Sequence, residues 1–286
     1  MIGLIFNIIF LGFSFVNPHL DYAVGFKSSK FEIDALRSVQ QDFSLPELSA
    51  KQFELYQLDT DTVISNTNQQ SKLPIASLTK LMTALIIISE NQPTEEITTQ
   101  ILDLPNGYQS NYLSTSSKID VQRLLELLLI SSDNQAALNL ALFNAGSINS
   151  FVDKMNWYAT NLGMNNTQFA NPYGQDDPNN YSTSEDLIIL TKLVLAQPIL
   201  SGIVGTTNQS ISYGGQDFEL ISTNKLLPRP DVHGVKTGTE TLAGQCLIVL
   251  YQNSAGSFLI TILGSDDRYQ DATSVIEQLQ VLSASD

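Results

Sequence analysis

The sequence predicts an α/β protein of the α+β kind: an antiparallel sheet flanked by helices, with an all-helical subdomain inserted between its first and last strands. Three observations carry this reading. A pair of short strand-like runs follows residue 46, a block of apolar-rich helical segments fills the middle, and the last third returns to short apolar runs before a final helix. A chain of 286 residues is long enough for a large core with such an insertion.

Residues 1–16 are almost wholly apolar, which suits a signal peptide or an N-terminal membrane anchor through residues 2–16 better than a spanning helix of about 20 residues. No Lys or Arg precedes the run and no clear small-x-small site follows it. Either reading sends the rest of the chain to the periplasm or cell surface. Residues 17–45 mix charge, Ser and Gly without periodicity and read as a linker, so the folded domain is expected over 46–286. Phe53 to Leu58 reads as a strand, Asp59-Thr60-Asp61 as its turn, and Val63-Ile64 as the start of the return strand. Two carboxylates in such a turn are turn formers rather than a metal site.

Ser77 and Lys80 open the apolar run Leu81 to Ile88, a buried helix preceded by Pro74. Asp120 is placed to cap a helix over Val121 to Ile130, and Gln135 to Phe143 reads as the next. Ser147 caps another that runs to Leu162 and stops at Gly163. Thr183-x-x-Asp186 has the spacing of a capping box before Leu187 to Ala196. Strands are expected at Asp217–Ile221, Val232–Lys236, Cys246–Tyr251 and Phe258–Leu263, with a closing helix over Val275–Val281.

Twenty-nine acidic residues against 14 basic give a net charge of −15, and no basic run is present, which argues against a nucleic-acid partner. The single Cys246 permits no internal disulfide and reads as a small core hydrophobe. Only two histidines occur. His19 lies beside Pro18 near the N-terminus, and His233 beside Gly234 has no Gly-x-Ser-x-Gly elbow, so neither a Ser-His-Asp triad nor a zinc set is expected. No metal or other cofactor is called for.

Three strings carry the chemistry: Ser77-Leu78-Thr79-Lys80, Ser132-Asp133-Asn134 and Lys236-Thr237-Gly238. They supply a nucleophile, two amines, a second hydroxyl and a carboxamide, which suffices for acyl transfer through a serine ester. A serine hydroxyl needs a neighbouring base, and with histidine excluded that base is lysine. Residues three apart on a helix share a face, so Lys80 can reach Ser77. The helix N-terminus also favours developing negative charge. Alone, Ser-x-x-Lys fits a capping serine and a surface lysine equally well. In company and in this order, the three strings match penicillin-recognising serine enzymes.

Further text extends the match: Pro74 to Ala84, Leu162-Gly163-Met164, Thr167-x-Phe169-x-Asn171-Pro172-x-Gly174, Ser182-Thr183, Thr223-Asn224-Lys225-Leu226-Leu227 and Ala243-Gly244-Gln245-Cys246-Leu247. Over most of 46–280 the chain resembles a D-alanyl-D-alanine carboxypeptidase of the low-molecular-mass penicillin-binding protein type. That resemblance implies a β-lactamase/DD-peptidase-like fold. It also implies removal of the terminal D-alanine from peptidoglycan stem peptides ending in D-Ala-D-Ala, with β-lactam antibiotics as covalent inhibitors. By the same resemblance Ser77 is the acylated nucleophile, Lys80 its base, and Ser132 the relay of a proton to the leaving amine. Asn134, Lys236, Thr237, Gly238, Thr239 and Arg268 are substrate-binding: Asn134 at the peptide amide, Lys236 beside Ser132, the N–H groups of Ser77 and Thr239 as an oxyanion hole, Thr237 and Arg268 at the free carboxylate. A surface ion pair with Asp266 or Asp267 is the alternative for Arg268.

The pattern departs from the family in two places. Thr239-Glu240 follows Lys-Thr-Gly where an aromatic residue or His and then Thr are common, bringing a carboxylate near a carboxylate-binding subsite. Gln135 stands where an acidic residue is common. After the polar Ser283-Ala284-Ser285-Asp286, neither the further β-rich domain nor the C-terminal anchor of many relatives is expected. Alternative functions are a DD-endopeptidase using the same groups, a class A-like β-lactamase, and a non-catalytic penicillin- or wall-binding relic. For the lactamase, no Glu-x-x-Leu-Asn lies between Asn134 and Lys236.

Overall fold

A computed structural model describes residues 43–68, 70–104 and 110–284. The expected leader over 1–16 and most of the linker over 17–45 lie outside the described residues. In chain order the elements are strands β1 (Gln52–Gln57), β2 (Thr62–Thr67) and β3 (Leu73–Pro74), a 3₁₀ turn (Ala76–Thr79), helix α1 (Lys80–Glu90), strands β4 (Glu96–Thr98) and β5 (Lys118–Asp120), and helices α2 (Val121–Leu129), α3 (Asn134–Ala145) and α4 (Ile148–Asn161). There follow β6 (Tyr181–Ser182), α5 (Ser184–Ala196), α6 (Pro198–Val204), β7 (Asn208–Tyr213), β8 (Gln216–Ile221), β9 (Val232–Glu240), β10 (Gly244–Asn253), β11 (Gly256–Ser265) and α7 (Arg268–Ala284).

The main sheet has five antiparallel strands in the order β2-β1-β11-β10-β9. First and last strands meet where β1 pairs with β11, and the helices between them form the inserted layer, as the sequence pattern predicts. Along β10 the side chains alternate between two cores: Leu247, Val249 and Tyr251 pack with Ala272, Val275, Ile276 and Leu279 of α7, while Cys246 and Ile248 join the helical core. Central β11 is buried along most of its length because helices cover both faces. Ser49 ties the incoming chain to α7: its N–H and hydroxyl both donate to the Asp271 carboxylate (2.9 Å each).

Several helix starts follow from the residues named in advance. Asp120, Asp133, Ser147 and Thr183 each accept a backbone N–H three residues on, the N-cap contact that satisfies an otherwise unpaired donor. Thr183 starts α5 at Ser184, three residues earlier than expected. Asp186 does not complete a capping box; its carboxylate accepts instead from Asn166 N–H and the Thr167 hydroxyl. Strand β9 continues past Lys236 to Glu240, because Thr237 to Glu240 pair with Leu247 to Gly244 of β10. The sequence pattern missed β7, α6 and the two- and three-residue strands β3 to β6, and it began the closing helix at Val275 where α7 begins at Arg268. Only Ile211 of β7 is buried, so its apolar period is too sparse to read.

Candidate active site

Ser77 lies in the 3₁₀ turn, not in the first turn of an α-helix as expected, while Lys80 begins α1. Ala76, immediately before Ser77, has φ of 48°, a left-handed conformation that non-glycine residues adopt at a cost. What holds it there is the loop between α4 and β6. Asn171 Oδ1 accepts from the N–H groups of Tyr173 (3.3 Å), Gly174 (2.7 Å) and Gln175 (3.0 Å), and Thr83 donates its hydroxyl to Pro172 O (2.7 Å). Gly174 then lies against the Ala76–Ser77 peptide so closely that a Cβ at 174 would stand 2.0 Å from Ala76 O. From the sheet side Gly238 makes a second close approach, with a Cβ there falling 3.0 Å from Ser77 N. The Ser77 peptide is thus pinched between two glycines.

The Lys80 side chain is fully buried. Its Nζ donates to Ser77 Oγ (2.8 Å), Asn134 Oδ1 (2.6 Å) and Tyr173 O (2.5 Å). Two of these three partners are carbonyl oxygens, which can only accept. A neutral amine must therefore spend both hydrogens on Asn134 and Tyr173, leaving its lone pair toward the Ser77 hydroxyl. Burial favours that neutral form and brings the Lys80 pKa down to about 7, against the opposing pull of the Asp133 and Glu240 carboxylates.

Ser132 sits at the joint between α2 and α3 with φ of 60°. Asp133 caps α3, its carboxylate accepting from Ala136 N–H (2.8 Å), which makes Asn134 the first helical residue and aims its amide at Lys80. Burial raises the Asp133 pKa, with hydrogen bonds to Ser110 and Ala136 opposing. One residue further, Gln135 forms a two-point amide clamp: Oε1 accepts from Leu102 N–H (3.0 Å) and Nε2 donates to Leu102 O (2.7 Å). Asn139, one turn later, does the same with Gln100 (2.8 and 2.9 Å).

From the sheet side, fully buried Lys236 on β9 donates through Nζ to Ser132 Oγ (2.9 Å) and Thr237 O (3.0 Å). Its pKa lies well below the ordinary lysine value because of burial and then the Lys80 and Arg268 charges. Thr237 pairs its hydroxyl with that of Thr223 (2.6 Å). Arg268, mostly buried, makes no ion pair with Asp266 or Asp267. Its Nη1 donates to Gly238 O (2.7 Å) and Cys246 O (2.9 Å), Nε to Gln245 Oε1 (3.1 Å), and Nη2 to the Thr239 hydroxyl. It holds the end of β9 against β10 and leaves one Nη2 hydrogen uncommitted.

The expected residues therefore gather in two hydrogen-bonded groups, Ser77–Lys80–Asn134 within the helical layer and Ser132–Lys236 across the seam between helices and sheet. Thr237, Gly238 and Thr239 line the sheet side. Four contributors went unread in the sequence: Tyr173 through its carbonyl, Asn171 and Gly174 beneath the nucleophile, and Thr223 beside Thr237. Their motifs were visible, but they act through backbone atoms and close approach, which residue type does not announce. His233 is exposed, and among the described residues no three His, Cys, Asp or Glu side chains cluster as a metal set.

A buried lysine hydrogen-bonded to a serine, beside a second lysine–serine pair, is the make-up expected of a serine acyl-transfer site. The D-alanyl-D-alanine carboxypeptidase family (peptidase S11) matches residues 38–266, and the chain belongs to it. It is 33% identical over 205 residues to D-alanyl-D-alanine carboxypeptidase DacF of Bacillus subtilis, covering 69% of this chain and 53% of that protein. Identity to the D-alanyl-D-alanine endopeptidase of Escherichia coli is also 33%, over 216 residues, 72% of this chain and 68% of the relative. Among solved structures, cefotaxime-bound penicillin-binding protein D2 of Listeria monocytogenes superposes with a TM-score of 0.74 at 26% identity, over 82% of this chain and 99% of that one. The chain spans about half the length of the Bacillus relative.

Proposed function

We propose that the protein is a serine-type D-Ala-D-Ala carboxypeptidase that removes the terminal D-alanine of peptidoglycan stem peptides outside the cytoplasm. The observation that carries this reading is the three-way hydrogen bonding of Lys80, which leaves a neutral amine no orientation but lone pair toward Ser77. In the proposed cycle Lys80 takes the Ser77 proton as Oγ attacks the carbonyl of the penultimate D-alanine. The oxyanion is held by the N–H groups of Ser77 and Thr239. The proton that Lys80 has taken is relayed through Ser132, hydrogen-bonded to Lys236, to the departing D-alanine amine, which returns Lys80 to its neutral form. Water then hydrolyses the ester, regenerating the Ser77 hydroxyl.

Asn134 orients the acyl portion. Thr237 receives the terminal carboxylate together with Arg268, whose remaining Nη2 hydrogen and fixed positive charge favour a substrate with a free terminus. β-Lactams enter the same path, because a strained lactam amide presents the same carbonyl to Ser77. The folded unit is residues 46–286, and the apolar run 1–16 delivers it across the membrane or anchors it there.

A second reading, DD-endopeptidase, is favoured by the identity to the E. coli endopeptidase, since the same groups serve a cross-linked amide. Incubation with a pentapeptide ending in D-Ala-D-Ala and with a cross-linked dimer, products read by mass, separates the two. The proposal expects D-alanine from the pentapeptide. Cleavage of the dimer alone overturns it.

A further inference from the structure

Glu240, the departure beside Lys-Thr-Gly, has no task in the reaction just described, yet its position is fixed. In a strand, residues two apart share a face. On β9, Lys236 reaches Ser132 and Gly238 closes on Ser77, whereas intervening Thr239 turns the other way to Arg268. Glu240 therefore shares the face of Lys236 and Gly238, two residues past Gly238, or about 7 Å along the strand. The turn that follows is pinned: Leu242 N–H donates to Asp176 Oδ2 (2.7 Å), tying it to the loop that carries Tyr173. The half-buried carboxylate is felt on both sides: the Tyr173 phenol is raised by burial and then by Glu240, and at Lys80 the Glu240 charge opposes the burial that lowers the amine. Ser132 and Lys236 occupy the leaving-group end of this row, so Glu240 stands at the opposite end, past Ser77, where the acyl portion of an extended peptide runs along edge strand β9.

We propose that Glu240 is a specificity-determining residue that selects peptides carrying a free ammonium group on the acyl side of the scissile bond. The inference rests on the carboxypeptidase reading for the direction in which the peptide lies. On that face the carboxylate is turned away from Thr237 and from Arg268, which is held by Thr239 and Gly238 O, so it does not confront the terminal carboxylate of the substrate; it meets the stem peptide, where a basic side chain is its natural complement.

The test compares Nα-acetyl-L-Lys-D-Ala-D-Ala with its Nα,Nε-diacetyl counterpart, which differ only in the ammonium. Two readouts are taken: D-alanine release by the wild type and Glu240→Gln, and binding to Ser77→Ala and Ser77→Ala/Glu240→Gln followed by NMR titration. Wild type and Ser77→Ala are expected to favour the free amine about five- to tenfold, the size of one partly screened charge-assisted contact. Glu240→Gln should bring the ratio to near one, and Glu240→Lys should invert it. Using the ratio at one pH cancels the change that losing Glu240 makes in the Lys80 pKa. Equal binding of both peptides to Ser77→Ala, or a preference that survives Glu240→Gln, overturns the inference. No D-alanine from either peptide overturns the carboxypeptidase reading instead, and the binding ratio still decides the role of Glu240.

Discussion

In the proposed reaction Lys80 is the residue on which the chemistry turns. Its three partners, full burial and lowered pKa all follow from one placement, the first residue of a helix whose N-terminus is enclosed by α3, the Tyr173 loop and β9. Acylation requires the neutral amine, so its rate should climb with pH through about 7 and level above it. Lys80 titrates in the field of the Asp133 and Glu240 carboxylates and the Lys236 amine. The folded pKa lies below the ordinary lysine value, so the unfolded chain binds the extra proton between them, and this group's contribution to stability also rises with pH across that window. Lys80→Ala should slow labelling by a fluorescent penicillin about a hundred- to ten-thousand-fold. A rate that is flat from pH 5 to 9, or near-normal labelling in folded Lys80→Ala protein, would assign the base elsewhere.

At the scale of elements, α3 does two jobs with successive residues. Asn134 faces the site, while Gln135 and Asn139 turn back to clamp the stretch 100–102 as a strand partner would. Each clamp needs a donor and an acceptor on one side chain, which explains Gln135 at a position where the family commonly has an acid: a carboxylate accepts from Leu102 N–H but meets Leu102 O with a second acceptor. Gln135→Glu should therefore cost about 1–3 kcal/mol, the penalty for a buried carbonyl losing its partner. Its urea midpoint should fall at unchanged m-value, and unchanged stability would show that the clamp carries no weight.

Part of this was readable in advance. Two amides four residues apart in the apolar run Gln135 to Phe143 signal buried polar contacts. Their partner is not named by any side chain, because Leu102 and Gln100 contribute only backbone. The same reason hid Tyr173 and Pro172, whereas Ser77, Lys80, Ser132 and Lys236 announced themselves by chemistry that side chains alone possess.

For the whole molecule, the first and last strands of the chain meet in one sheet at β1 and β11, and that pairing brings the site together. Lys236 on β9 and Ser77 behind β3 are far apart in the chain, and they meet because β1 returns beside β11 while the helical layer folds over the same sheet. The strand–helix–strand order predicted this arrangement. It could not predict that Ser77 would stand on a strained 3₁₀ turn, since that depends on Gly174 and Gly238 arriving from opposite sides. Ser49 and Asp271 lock the chain's entry to the sheet, so a protein starting at Phe43 should melt and label with penicillin as the full chain does. A large loss of either would move the domain boundary upstream. The central claim is that Ser77 forms the acyl-enzyme. Intact mass followed by peptide mapping after exposure to benzylpenicillin tests it most directly. One penicilloyl adduct on Ser77, absent from Ser77→Ala and retained by folded Cys246→Ala, is the predicted result; no adduct on the wild type, or an undiminished adduct on Ser77→Ala, contradicts it.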